Sequence, residues 1–353
     1  MTDLREAFCF FLRRGLGDMP QTREPELVLT REEWKLLFRM ASVQAVSGVF
    51  IDGVASVSLR PDRDLWEQWI AHLFYLEQIN ERIASRGEEW VGRLAEAGIR
   101  AQVFKGSSVA AWYPYPLHRS FGDIDLVVEE GWRKLEEWLH GQGVPFRNEW
   151  GDLVVHEEGL TTVEFHPHWE YLYNPVMNVR LQDWLKEGSS NELYLVCLIV
   201  HLRRHFLTYG IGLKQVCDVT MMLRRAHLNQ SKLAYMLERL RLKRFCRVLF
   251  GFIDTYLGGA ESYPFVPLFS DKDFALMREV IFHEGYLLKQ AQEEKGAKEH
   301  FPFVRIGRHA WFWMRRSLRL GGMMPDEACW FLLHQVMRRV GFSKNKNYQP
   351  FNI

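Results

Sequence analysis

The sequence predicts an α+β fold: a small mixed β-sheet between an N-terminal helical segment and a C-terminal helical domain. Three observations predict it. Apolar residues recur at helical spacing through residues 1–88 and again from about Tyr171 towards the end, whereas the stretch between them breaks into short strand-like runs. The order in that middle stretch is strand, helix, strand, helix, strand and hairpin, which suits a small α+β core rather than a long doubly wound sheet. The 353 residues, 47% hydrophobic and 14% aromatic, are ample for two or three modules. The divisions fall at 1–88, 89–172 and 173–353.

In the first segment Leu4-Phe8-Phe11-Leu12, Trp34-Leu37-Phe38-Ala41 and Trp66-Trp69-Ile70-Leu73-Leu76 each line a helical face. Pro20, Pro25 and Pro61 punctuate them, and Thr30 with Glu33 has the pattern of a capping box. The segment reads either as a lid or as a packing layer, and the packing layer is the simpler reading. A helix from about Asn80 to Ala97 ends at Gly98, a natural C-cap, and feeds a strand from Ile99 to Phe104. Lys105-Gly106-Ser107 then turns the chain into a short helix, and the next strand opens on Asp123-Ile124-Asp125. A helix near Trp132 to His140 and a strand near Pro145 to Trp150 follow. The hairpin has arms Asp152 to His156 and Leu160 to His166, turning at Glu158-Gly159. In the last domain a helix at Leu193 to Phe206 carries His201 and His205 at i, i+4 on one face.

Composition excludes some roles. Lys and Arg number 45 against 44 Asp and Glu, so the chain as a whole is not built to wrap a polyanion. The five cysteines are scattered and odd in number, which fits a reduced cytoplasmic setting. Asp3 and Glu6 precede the Phe-rich N-terminal run, unlike a secretory signal, and the apolar run Leu193 to Val200 is far too short for a bilayer, so no membrane partner is expected. From Phe301 onward nine basic residues (305, 308, 315, 316, 319, 338, 339, 344 and 346) face only Asp326 and Glu327, and Trp311, Phe312 and Trp313 interleave with them. That region reads either as a surface for single-stranded nucleic acid or tRNA, or as an amphipathic helix with a solvated basic face. Leu287 to His300 reads as a polar helix or loop.

The chemistry concentrates between residues 99 and 166. Asp123 and Asp125 are two apart on a strand, so their carboxylates project side by side. Like charges held so close are costly unless a cation lies between them, and Asp is a poor strand former, so packing does not explain the pair. Gly106 allows backbone to approach a ligand, and the N–H groups around Ser107 and Ser108 make an anion-sized cradle. A phosphate cradle beside a divalent-metal pair is the equipment of phosphoryl or nucleotidyl transfer. On the last strand Thr162, Glu164 and His166 share one face; Glu164 is either a further metal ligand or an exposed strand residue, with Asp152 and Glu157 as other candidate carboxylates. Oxygen ligands suit Mg²⁺ or Mn²⁺ rather than Zn²⁺. A zinc site at His166 and His168 would want further Cys or His at matched spacing, and none is nearby, so His166 is expected behind the ligands or against substrate.

Phe104-Lys105-Gly106-Ser107, Tyr113-Pro114-Tyr115-Pro116 and Arg119-Ser120-Phe121-Gly122-Asp123-Ile124-Asp125-Leu126-Val127-Val128 together resemble the uncharacterised nucleotidyltransferase family of the DNA polymerase β-like superfamily. Fifteen residues, 108 to 122, separate Ser107 from Asp123, somewhat longer than is typical of that superfamily. The resemblance implies a polymerase β-like core with Asp123, Asp125 and Glu164 as catalytic metal ligands, Gly106 and Ser107 on the triphosphate, and Mg²⁺ or Mn²⁺ as cofactor. It implies transfer of a nucleoside monophosphate from an NTP, with ATP the expected donor, to a hydroxyl or phosphate of a small molecule, protein or RNA. Lys105 would pair with the triphosphate, and Arg119 would contact phosphate or lock its loop onto the carboxylates. Tyr113 and Tyr115 would flank a base or pin the loop. His201-x-x-x-His205-Phe206 and Gly210-Ile211-Gly212-Leu213-Lys214-Gln215-Val216-Cys217-Asp218 resemble the same family, with Lys214 where arginine is expected, a point charge in place of a bidentate clamp. His201, His205 and Asp218 would contact substrate and Lys214 the nucleotide; a satisfied core pair is the other reading of the two histidines. Outside transfer chemistry, the same features would serve an inactive nucleotide-binding regulator or an RNA-binding accessory protein.

Overall fold

The computed structural model describes residues 4–17, 28–149, 151–159, 161–208, 210–259, 263–284 and 302–339, and the chain divides into two units, Met1–Trp169 and Glu170–Ile353. The expected features at Pro20, Pro25, Trp150, Leu160, Tyr209, Leu287 to His300, Lys344 and Lys346 lie outside the described residues. Helices α1 (Leu4–Gly15), α2 (Arg31–Val43), α3 (Ser47–Ala55) and α4 (Arg63–Glu96) open the first unit. Phe8, Phe11, Trp34, Phe50 and Trp69 meet ring to ring among them, and the capping box of Thr30 and Glu33 starts α2. Glycines set the closeness of α1 and α3: a Cβ on Gly15 would lie 1.8 Å from the Val49 carbonyl oxygen, and one on Gly53 1.7 Å from that of Phe11.

α4 corrects the sequence reading. The pieces expected around 66–76 and 80–97 are one 34-residue helix, capped by the Asp62 side chain on Leu65 N–H. Its buried stripe runs Asn80, Ile83, Gly87, Trp90 and Leu94, and the polar residues between the two apolar runs, the half-buried Glu77 and the exposed Gln78, belong to the same helix and do not break it. The boundary expected at 88/89 therefore falls inside a helix.

Strands β1 (Arg100–Val103), β2 (Ile124–Glu130), β3 (Arg147–Glu149), β4 (Asp152–His156) and β5 (Thr162–His166) form one sheet in the order β1-β2-β5-β4-β3. β2 and β5 are parallel and the other pairs antiparallel. Between β1 and β2 run α5 (Gly106–Ala110) and a 3-10 turn (Pro116–His118), and α6 (Trp132–Gly141) follows β2. One face of the sheet packs Leu126, Val128, Val163 and Phe165 against Trp90 and Leu94 of α4 and Leu135 and Leu139 of α6. Strand alternation then turns Asp125, Glu164 and His166 to the opposite face.

The second unit is helical: α7 (Pro175–Glu187), α8 (Asn191–Leu207), α9 (Leu213–Arg225), α10 (Gln230–Arg239), α11 (Lys243–Tyr256), α12 (Asp271–Glu279) with a π turn at Val280–Glu284, α13 (Pro302–Leu320) and α14 (Pro325–Arg339). Buried polar groups tie its ends together. Arg203 of α8 meets Asp326 at 3.2 Å, and Glu327 accepts the Tyr173 N–H at 2.6 Å. Within the basic stretch Arg316 is buried and donates to the Phe206 and Leu207 carbonyls at the end of α8, Arg319 pairs with Glu279 at 2.7 Å, and Trp313 is buried. These groups serve the fold, which leaves less of that stretch as an open basic face. Among the described residues no helix is long and apolar enough to cross a membrane.

Candidate active site

The parallel pairing of β2 with β5 sets Asp125 directly beside Glu164, both on the face away from the helices. His166 extends the same row. Its Nε2 lies 2.9 Å from Asp125 Oδ1 and its Nδ1 3.1 Å from Asp152 Oδ1. Burial pushes the imidazole towards neutrality, but the hydrogen bonds and charges of Asp125 and Asp152 outweigh it and raise its pKa to about 10. Glu164 shows the opposite stress: burial, then the charges of Asp123 and Asp125, push its pKa up to about 7. Asp123, just ahead of the strand, is exposed, yet near enough for its charge to act on Glu164.

The turn after β1 brings Lys105 to the same place, its Nζ 3.4 Å from Asp125 Oδ1. Gly106 and Ser107 lead α5, Gly106 at φ +47° with open space where a Cβ would stand. Ser108 instead serves the turn: its hydroxyl donates to the Lys105 carbonyl at 2.7 Å. The loop entering β2 is clamped from behind. Asn80 of α4 donates to the carbonyls of Leu117 (2.6 Å) and Arg119 (2.9 Å) and accepts from Phe121 N–H at 3.1 Å. His118 is held between Asp52 of α3 (2.7 Å) and Glu77 of α4 (2.9 Å), and Thr161 donates to the Gly122 carbonyl at 2.7 Å. Arg119 is buried, donates to the Ser120 carbonyl at 3.3 Å and faces the Phe121 ring. Tyr113 is buried, and Tyr115 is exposed and stacks on His118.

A strand pair of carboxylates beside a glycine turn is the layout of nucleotidyl transfer, and one comparison decides the matter: the family described as uncharacterised nucleotidyltransferase matches residues 30–258, well over half of the chain. The chain belongs to this family. No curated protein and no solved structure matches it. As a nucleotidyltransferase it is a transferase enzyme, and its mixed sheet between helices is the α+β core expected of one.

The donor set of this nucleotidyltransferase fits a divalent cation. Asp125, Glu164 and His166 each present a ligand atom, all within 4.8 Å of one another, and Asp123 and Asp125 add their charges to burial in raising the Glu164 pKa, a crowding that a cation would relieve. Asp152, considered from sequence as a carboxylate ligand, is instead the partner of His166 Nδ1. Glu157 is drawn off by Arg86 at 2.7 Å and by the Trp90 indole at 2.8 Å. Asn80 and its clamp escaped the sequence reading; their signal was a lone amide inside an apolar helical stripe.

In the second unit the rings of His201 and His205 meet at 4.3 Å, tilted by 52°, and Glu170, almost fully buried, accepts from His201 Nδ1 at 2.6 Å and pairs with Arg204 at 3.0 Å. Lys214 and the buried Asp218 lie one turn apart on α9, whose first N–H, at Gly212, is capped by the Gln215 side chain at 3.1 Å.

Proposed function

We propose that this enzyme transfers a nucleoside monophosphate from an NTP, with ATP as donor, to a hydroxyl or phosphate of its acceptor and releases pyrophosphate. The observation that carries the reading is the Asp125–Glu164 register across β2 and β5, with Asp123 adding its charge to the same place. Asp123, Asp125 and Glu164 would hold Mg²⁺ or Mn²⁺. Such an ion, when bound, lowers the pKa of an attacking hydroxyl and neutralises the leaving pyrophosphate.

The chain's own groups have separable tasks. Glu164 would complete the metal site and, through the ion it helps hold, help activate the acceptor hydroxyl. Lys105, with Gly106 and Ser107, binds the triphosphate through its amine and the leading N–H groups of the turn. Arg119 braces the loop that carries Asp123, the role its burial favours over a phosphate contact. Lys214 adds positive charge for the nucleotide, and His201, His205 and Asp218 contact substrate. The acceptor belongs to one of three classes, small molecule, protein or RNA, and the setting is the reduced cytoplasm, in keeping with five free cysteines.

Calorimetric titration of the wild type and of D123N/D125N with each NTP, with and without Mg²⁺, tests the reading. NTP binding that needs the metal, is tightest for ATP and disappears in the double variant is expected. Binding that survives unchanged in the variant, or is missing from both proteins, would overturn it.

A further inference from the structure

We propose that His166 is itself a ligand of the metal, held in position by Asp152, so that the site is a mixed carboxylate–imidazole centre that prefers Mn²⁺ to Mg²⁺. The inference rests on the metal-dependent reading above and departs from the expectation that oxygen alone coordinates. Three observations carry it. The ligand atoms of Asp125, Glu164 and His166 lie within 4.8 Å of one another, close enough to converge on one ion. The ring is oriented from both ends: Nδ1 points at Asp152, 3.1 Å away, and Nε2 points into the space shared by Asp125, at 2.9 Å, and Glu164, at 3.8 Å. The sheet builds this arrangement into its pairing. Val154 of β4 stands opposite Glu164 of β5, so a step of two residues along each antiparallel strand sets Asp152 opposite His166.

A ligating histidine characteristically donates its other ring N–H to a carboxylate, which fixes tautomer and orientation and strengthens the ligand. Asp152 is in the right place for that partner, and His166, only 15% exposed, has little room to turn away. Asp152 is thus a positioning residue. Metal choice follows from the nitrogen. Mg²⁺ takes oxygen ligands in near-ideal octahedral geometry and keeps several waters, whereas Mn²⁺, also suited to carboxylates, stands at the weak end of the first-row transition series and tolerates one imidazole among oxygen ligands better than Mg²⁺ does.

The test is Mn²⁺ titration of the full chain followed by electron paramagnetic resonance, without nucleotide, with electron spin-echo modulation read on protein labelled with ¹⁵N-histidine. Expected in the wild type is coupling of Mn²⁺ to one histidine nitrogen, kept in H168Q and lost in H166Q. Mn²⁺ affinity should fall at least tenfold in H166Q, against less than threefold for Mg²⁺ measured by competition. D152N should keep the coupling and weaken Mn²⁺ about tenfold or more, as removal of a histidine's outer partner does. Mn²⁺ bound without nitrogen coupling, but lost in D123N/D125N, would overturn the role of His166 and leave the carboxylate reading standing. Absence of Mn²⁺ binding in the wild type would bring down both. D152N with wild-type affinity would overturn the positioning role. If H166Q does not fold, H166N takes its place with the same expected loss of coupling, and coupling kept in H166N would overturn the assignment.

Discussion

Lys105 has φ +65° and ψ −149°, a region that residues other than glycine almost never occupy. Its surroundings hold it there. The N–H of Phe104 before it is bound to the Asp125 carbonyl at 2.9 Å, its own carbonyl takes the Ser108 N–H at 2.9 Å, and its amine meets Asp125. Strain of this kind costs about 1–3 kcal/mol and here delivers an ammonium to the carboxylates. K105G should therefore be more stable than K105A by about 1 kcal/mol in urea unfolding, reversing the usual order in which glycine is the worse of the two. Both variants should lose NTP affinity. Equal stability of the two would show that no strain is stored at this turn.

At the next scale, α4 does more than cover the sheet, because Asn80 on its buried stripe fastens the loop that leads to Asp123. N80A would remove the side-chain partner of three backbone groups, the buried Arg119 carbonyl and the half-buried Leu117 carbonyl and Phe121 N–H. A loss of about 3 kcal/mol in stability is expected, together with at least a tenfold fall in turnover; unaltered turnover in a folded N80A would detach the clamp from the chemistry. The second clamp responds to pH. Burial works against the charged form of His118, but its hydrogen bonds and ion pairs with Asp52 and Glu77 raise its pKa above the ordinary value. A histidine with a raised folded pKa stabilises fully below its unfolded value of about 6.5 and loses that contribution as pH rises through the folded value. The melting-temperature gap between wild type and H118Q should thus be widest near pH 6 and shrink at higher pH; a gap that widens with pH would contradict the ion pairing. These clamps also show what was legible beforehand. Glycine turns and two-residue alternation placed β1, β2 and the β4–β5 hairpin, because those signals are local. The unbroken course of α4, the partners of Asn80 and His118 and the Asp152–His166 contact depend on residues 14 to 66 positions apart, and no local pattern states such distances.

Across the whole molecule, the family match from residue 30 to 258 runs through the division at 169/170, so both the sheet and helices α7 to α11 belong to the shared architecture, while α13 and α14 lie beyond it. The large cores of both units offset a local liability at the site, where Glu164 is held beside two other carboxylates. A carboxyl whose folded pKa is raised to about 7 takes up protons on folding, so stability falls as pH climbs from its unfolded value near 4.3 to about 7 and stays lower above that. With the side chain 32% exposed, solvent screening reduces the penalty to roughly 2 kcal/mol. E164Q removes that charge. Without metal it should be more stable than the wild type by up to about 2 kcal/mol at pH 8, and the advantage should vanish near pH 4. Added Mn²⁺ should reverse the ranking, because a ligand at a hundred times its Kd contributes about 2.7 kcal/mol to a protein that binds it and almost nothing to one that does not. Melting curves of both proteins at the two pH values, with and without Mn²⁺, check every part of this. Equal metal-induced shifts in the two would place Glu164 outside the metal's reach, and a wild type that is the more stable at pH 8 without metal would show that the three carboxylates carry no unmet repulsion.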